Sequence, residues 1–487
     1  MRYLHRTTTE KGFIDLHNHT NLSYGHEMGK MNIVPTQFLE EMREYTEQFN
    51  QPVTFSVTDH NDIIANLFIL EEINRYPEKY KNIRYITGAE YSVSTDTLGV
   101  CYDKNGKEQP IIKNNRMHIL AYGFDTNNKD LKYLNTLMST SSSFSVKFNG
   151  YDMPIKHGNA VFATQKWLKS KGIIKGISDF SKHCPLVQNS YRSTLQNIEN
   201  YLKDVLKLDP QSMDEWFDYI NNYRNLRKNT KADVMEVMSI IENAGGYSVL
   251  AHPLAYTPSE TFQLICRQTE VDPRNKPYMD ISFDDTTYKT MSSDEKRRNL
   301  RRMENYFDFI YRKLSIEAKN PITGEKIQGI IGHELLHPLN QTNPYKFQTL
   351  LQIGDKYGMY CTAGSDSHGD YYEYCFPSRI AGAMVQKYDS NYDPKVSAYS
   401  LIYCQFVEDF FESQKTGTRL DRELGREAKN QLIVLKTTES GEKEYNTSKF
   451  LEVIFTSFER MKKDKANNKF TPFSDEYEIA EQQAQEL

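Results

Sequence analysis

Short apolar runs alternate along this chain with stretches whose apolar residues recur every three or four positions, the pattern of buried strands followed by amphipathic helices. Val34, Phe38, Leu39, Met42 and Tyr45 share one helical face, and so do Val234, Val237, Met238 and Ile241. The second of these helices meets Ala244-Gly245-Gly246, where a glycine stop ends it and a strand follows. Phe347, Leu350 and Leu351 mark a further helix that closes near Gly358. Seven apolar runs, at 13–20, 54–61, 85–93, 117–124, 248–253, 328–336 and 360–369, read as strands with polar residues at or near their ends. Alternating units of this kind predict an α/β fold with a mainly parallel sheet.

The units are unevenly spaced, and the widest gap separates His118 from His252. Residues 12–126 and 231–385 read as the core, and 127–230 as an inserted, mainly helical subdomain. A second insertion is expected at 270–327 and a C-terminal extension at 386–487. At 487 residues the chain exceeds the roughly 150 residues of an average domain. A barrel of about 250 residues counts as one domain, so one large domain with additions is expected.

Hydrophobic residues at 38% suffice for a large core, and a net charge of -5 gives no whole-chain attraction to nucleic acid or membrane. The six cysteines show no C-x-x-C spacing, which excludes a zinc ribbon or thioredoxin-like motif and suits a reduced compartment. No run approaches the ~20 apolar residues of a spanning helix. A cytoplasmic protein without membrane contact is expected.

Six of the twelve histidines, His17, His19, His60, His118, His252 and His368, fall in such runs or at their downstream ends, in company with Asp and Glu. Loops after the carboxyl ends of buried parallel strands are where ligands gather, so repeated imidazoles and carboxylates there point to a multinuclear metal site. In Asp15-Leu16-His17-Asn18-His19, residues two apart project to one face of a strand. His17 and His19 can therefore reach one ion while Asp15 orients an imidazole from behind. Asp366 and His368 repeat that spacing. His60 follows Asp59, which is expected to fix the tautomer of a neighbouring imidazole. Glu90 follows what reads as a Gly-Ala turn, and His118 opens an apolar run. His252 precedes Pro253, which is expected to hold its backbone extended. Glu334 and His337 are candidates to orient a ligand or a leaving group.

The ordered set D-x-H-x-H, T-D-H, G-x-E, a lone His, A-H-P and G-S-D-x-H-G resembles the PHP (polymerase and histidinol phosphatase) family over about residues 12–385. The match is closest to members with a helical insertion before an A-G-G-x-x-V-L-A-H-P segment, here 244–253, and with G-x-E-x-x-H-P, here 332–338. The resemblance implies a distorted (β/α)7 barrel and a phosphoesterase acting on nucleotides or short RNA ends. It also implies two or three divalent ions, of Mn, Fe or Zn. One ion would be held by His17, His19, Glu90 and Asp366, a second by Glu90, His118 and His252, and a third by His60 and His368. The family adds an Asp ligand to the third site where this chain has Tyr24, and His26 is the candidate substitute. His17, His19, Glu90, His252 and Asp366 would carry catalysis.

The chemistry expected is hydrolysis of a phosphomonoester or phosphodiester in a nucleotide or oligonucleotide by a metal-activated hydroxide, with no side-chain nucleophile. Sugar-phosphate or histidinol-phosphate hydrolysis, or an amidohydrolase-like reaction, is the alternative on the same site. A non-catalytic scaffold or binding module is the third reading. Arg297, Arg298, Arg301 and Arg302 form a basic cluster that can meet nucleic-acid phosphates, with Tyr306, Phe307 and Phe309 as stacking surface.

Overall fold

A computed structural model of the chain describes residues 13–20, 23, 35–49, 52–103, 105–138, 143–148, 151–156, 164, 167–174, 199, 201–222, 232–256, 258, 292–337, 344–364, 366, 402–427, 432–437 and 443–445. The chain begins with β1 (Phe13–Asp15), α1 (Pro35–Phe49), β2 (Val53–Phe55), α2 (Ile64–Arg75), β3 (Ile83–Tyr85) and β4 (Gly88–Val93). A small hairpin, β5 (Val100–Tyr102) and β6 (Glu108–Pro110), leads to β7 (Met117–Tyr122) and α3 (Lys129–Met138). A second hairpin, β8 (Ser143–Phe148) and β9 (Tyr151–Lys156), precedes α4 (Pro210–Asn222), α5 (Val234–Asn243) and β10 (Tyr247–Leu250). Then come α6 (Ser293–Ser315), β11 (Ile330–Leu336), α7 (Pro344–Tyr357) and β12 (Tyr360–Ala363). The last elements are β13 (Ile402–Cys404), α8 (Gln405–Thr416), α9 (Arg422–Glu427), β14 (Leu432–Thr437) and β15 (Lys443–Tyr445).

The strands that carry the candidate residues form two sheets. One is parallel, in the order β1-β2-β3; the other runs β12-β11-β10-β7-β4. Among the described residues these are separate ladders, not the continuous closed barrel expected. Backbone bonds span both gaps: Leu16 N donates to Ala363 O at 3.0 Å and Asp366 N to His17 O at 2.8 Å, while Asn61 N donates to Glu90 O at 2.8 Å and Glu90 N to Asp59 O at 3.2 Å. The sheets also depart from uniform parallel pairing. β7 runs antiparallel to both β4 and β10, whereas β10, β11 and β12 are mutually parallel.

That reversal explains the odd position of His118. It stands near the start of its strand, and reversal brings that start to the end of the sheet reached by Ser92 of β4 and by Leu250 of β10. The expectation of a downstream strand end was therefore wrong for this residue. Glu90 likewise lies inside β4 and follows no turn. Gly88 and Ala89 belong to the strand, and a side chain at 88 would run into Ser56 and Thr58 of the neighbouring segment.

β4, β7, β10 and β12 are buried on both faces, and their apolar residues join one large core. α5 is buried around nearly its whole circumference; Asp233 caps it by accepting from Met235 N at 2.9 Å, and Gly245, at φ 80°, ends it. A smaller core joins α1 and α2 to β2 through Phe38, Leu39, Met42, Phe55, Ala65 and Ile69.

Three stretches outside the expected core carry described elements. Within 127–230 these include α3, the β8-β9 hairpin and α4. In 270–327, α6 inserts Met303, Tyr306, Phe307, Ile310, Tyr311 and Leu314 into the main core. Tyr306 and Phe307 are thus buried packing residues and offer no stacking surface, because the apolar stripe of the helix faces inward. Arg297, Arg298, Arg301 and Arg302 lie on the same helix, but their side chains fall outside the described residues. Past residue 386, Cys404, Phe406, Val407, Phe410 and Leu420 also join the main core, and Arg84 pairs with Glu408 at 2.9 Å. No described helix is long and apolar enough to cross a membrane.

Candidate metal centre

β1 supplies the first donors because its continuation is held on both sides. Ser56 N donates to Asp15 O at 3.1 Å and Thr58 N to Asn18 O at 2.7 Å, while Asp366 N donates to His17 O at 2.8 Å. His17 and His19 therefore stay in extended backbone between the β2 and β12 loops, and the last bond draws Asp366 toward them. Asp15 accepts the backbone N–H of His17 at 3.3 Å. The imidazole itself is held by Glu334, whose Oε1 is 2.9 Å from His17 Nδ1, so Glu334 takes the orienting place expected of Asp15.

Glu90 is the hub. Its Oε2 lies 2.7 Å from His60 Nδ1, 3.4 Å from His17 Nε2 and 3.5 Å from His19 Nε2. Its Oε1 lies 2.6 Å from His118 Nδ1 and 3.1 Å from His252 Nε2. Asp366 Oδ1 is 3.0 Å from His19 Nε2 and 3.3 Å from His17 Nε2, and Oδ2 is 3.2 Å from His337 Nε2. Nearly all of these side chains are buried, and Asp366 is the most exposed of them.

Three groups of donor atoms each lie within 4.8 Å of one another: His17, His19, Glu90 and Asp366; His60, Glu90 and His118; and His17, Glu334 and His337. The first brings together the four residues that the family resemblance assigns to one ion. The second places His60 against Glu90 and His118, where His60 was expected to serve a third ion with His368. His368, His26 and Tyr24 lie outside the described residues. His252 touches Glu90 but is absent from these groups, and its buried Nδ1 has no hydrogen bond among the described residues.

The electrostatics follow from packing so many ionisable groups together. Burial disfavours the Glu90 carboxylate, but His60, His118 and His17 overcome it and hold its pKa well below the usual range. Burial also opposes charge on His17, yet Glu334, Asp366 and Glu90 together push its pKa well above the ordinary histidine value. For His118 burial prevails despite Glu90, and its pKa falls well below that value. Asp59, pushed up to about 7 by burial, accepts from Thr20 N at 2.6 Å and Thr20 Oγ1 at 2.7 Å. It ties the loop after β1 to the loop after β2, and these bonds do not reach an imidazole.

Backbone strain gathers here too. Asn61, His252 and Asp366 adopt positive φ, at 54°, 21° and 52°, conformations costing about 1–3 kcal/mol each that persist only where surroundings impose them. His252 is consequently not extended before Pro253. Its N–H donates to Glu334 Oε2 at 2.9 Å and its C=O accepts from Ala255 N at 2.9 Å, which bends the chain into a short 3₁₀ turn.

Three polar neighbours were not read from sequence. Ser23 Oγ lies 3.1 Å from His19 Nδ1 and accepts from His60 N at 2.9 Å. Ser92 Oγ lies 3.1 Å from His118 Nε2, and Arg116 Nε donates to that same nitrogen at 3.1 Å. The signal for Arg116 was available: it stands two residues before His118 in extended backbone, the spacing that flagged His17 and His19.

The residues fit a divalent cation. Hard carboxylate oxygens and imidazole nitrogens converge within bonding reach of common centres, and among the described residues Glu90 Oε2 has no properly aligned hydrogen bond despite three nearby nitrogens. Neutral imidazoles such as His118 are ready donors.

No family model and no curated protein matches this chain. Among solved structures, an amidohydrolase from Chromobacterium violaceum, with bound sulfate and no metal, is 17% identical across 73% of this chain and 87% of its own, with a TM-score of 0.32. A protein from Bifidobacterium adolescentis, provisionally named a metal-dependent phosphoesterase, is 15% identical across 75% of this chain and 90% of its own, with a TM-score of 0.31. Similarity at this level carries no argument about the site, whose case rests on its own residues.

Proposed function

We propose that the chain is a metal-dependent hydrolase, and within that class a PHP-type phosphoesterase on a distorted barrel opened at two seams. The carrying observation is Glu90, a single carboxylate within 3.5 Å of five imidazoles brought from the β1, β2, β7 and β10 segments. A structural role would need far fewer histidines, and a buried imidazole with a purely structural place looks different. His333, also buried, bonds Tyr311 and carries no carboxylate contact among the described residues.

His17, His19, Glu90 and Asp366 would hold one divalent ion, and Glu90 with His118 and His252 a second. A third at His60 and His368, with His26, belongs to the same proposal. Ions there would activate water and neutralise charge on a leaving oxygen at phosphorus. The chain's own part is to keep the imidazoles oriented, through Glu334 and Ser23, and to exclude bulk water by burying the donors. His337, 3.2 Å from Asp366 Oδ2, would help to orient that carboxylate. The substrate proposed is a nucleotide or short oligonucleotide.

The test is direct. Bound metals are measured on the purified chain, and phosphate or mononucleotide release is screened on nucleotides, short RNA, short DNA and sugar phosphates with Mn. His17→Ala and Asp366→Ala should each lower metal content and abolish release. Undiminished turnover in both variants would remove this reading, and loss-free metal content without turnover on any substrate would favour a scaffold.

A further inference from the structure

Beside the donor cluster, Ile112, Lys113, Arg116, His118, His252 and Tyr256 line a small cleft of about 10 Å³, room for about one water. Arg116 is half-buried in its wall, and forms no ion pair with a carboxylate among the described residues. Its Nε donates to His118 Nε2 at 3.1 Å and its Nη2 to Ser92 Oγ at 3.4 Å, both neutral acceptors; Nη1 has no partner among the described residues. Lys113 stands exposed at the rim.

A half-buried guanidinium that burial disfavours, and on which the nearby Glu90 acts only through space, is better satisfied when an anion bonds its free nitrogens. Its planar fork suits two oxygens of one phosphoryl group better than an ammonium does. The cleft brings that fork against two of the histidines that face Glu90, so an anion over Arg116 would have its other oxygens toward the metal donors. We propose that Arg116, with Lys113 at the rim, is the anchor for a phosphoryl group of the substrate. This rests on the phosphoester reading above and deepens it: the substrate's phosphate would be bound by this chain's own cations as well as by the metal donors.

The experiment uses the full chain, wild type, Arg116→Gln and Arg116→Lys, with metal content measured on each sample. Inorganic phosphate is titrated by calorimetry. Phosphate affinity should fall at least ten-fold in Arg116→Gln, with a smaller loss in Arg116→Lys and unchanged metal content in both. Affinity within two-fold of wild type in Arg116→Gln overturns the proposal. Loss of metal together with phosphate overturns it as well, because the arginine would then act through His118. The two readings fail separately: phosphate binding that depends on Arg116 in a chain hydrolysing no phosphoester sinks only the activity, whereas hydrolysis with Arg116-independent phosphate binding sinks only the anchor.

Discussion

Glu334 Oε1 accepts a 2.9 Å hydrogen bond from His17 Nδ1, joining residues 317 positions apart. The carboxylate's other oxygen accepts the backbone N–H of His252 at 2.9 Å. Because an ionised carboxylate only accepts, Nδ1 of His17 must carry a proton, which turns Nε2 toward Glu90 and Asp366. One buried acid thus sets the orientation of one imidazole and the strained backbone of another.

Glu334→Gln should therefore weaken metal binding by about 10–100-fold, the usual cost of losing an orienting partner. An amide offers one acceptor where two donors point, so either the His17 or the His252 bond is lost. Competition with a fluorescent chelator reads the change, and unaltered affinity would show that Glu334 has no orienting role.

Gly364→Ala should damage the same place sterically. A β-carbon there would collide with that of His17 and lie 2.5 Å from Glu334 Oε1. Overpacking of this kind costs about 1–3 kcal/mol, which urea denaturation would detect, and metal affinity should fall with it. A variant as stable as wild type, with full metal content, would mean that this contact relaxes freely.

Metal loading should release protons. In the metal-free protein the acids around His17 raise its pKa against the effect of burial, so its charged form stabilises the fold fully below the ordinary value of 6.5. That contribution is lost as pH rises through the raised folded value. A cation at Nε2 must displace the proton, so affinity declines as pH drops, and turnover should fall as pH drops through about 6. Calorimetry of metal binding at pH 7 in buffers of different ionisation enthalpy should give net proton release. A buffer-independent heat, or a flat rate from pH 5 to 8, would contradict this.

Phe406→Ala should cost about 3–5 kcal/mol in a denaturation experiment, the range for a core phenylalanine. The ring is fully buried, 5.7 Å from Tyr122 and 5.8 Å from Tyr360 between centroids. A loss under about 1 kcal/mol would show this segment to be an appendage.

The sequence by itself determined the kinds of donor and the faces they occupy. Alternation in a strand is a local property, so His17 and His19 share a side wherever the strand lies, and glycine after Asn243 ends its helix whatever packs above it. Tertiary structure decided the rest, because it depends on which distant segments meet. The reversal of β7 turned the start of a strand toward the site and made His118 a neighbour of Glu90. Packing chose Glu334 over Asp15 as the acid behind His17, and it bent His252 out of the extended form that Pro253 alone would favour. It also buried Tyr306, Phe307 and Phe406, whose apolar faces look alike in sequence whether they meet a core, a ligand or solvent.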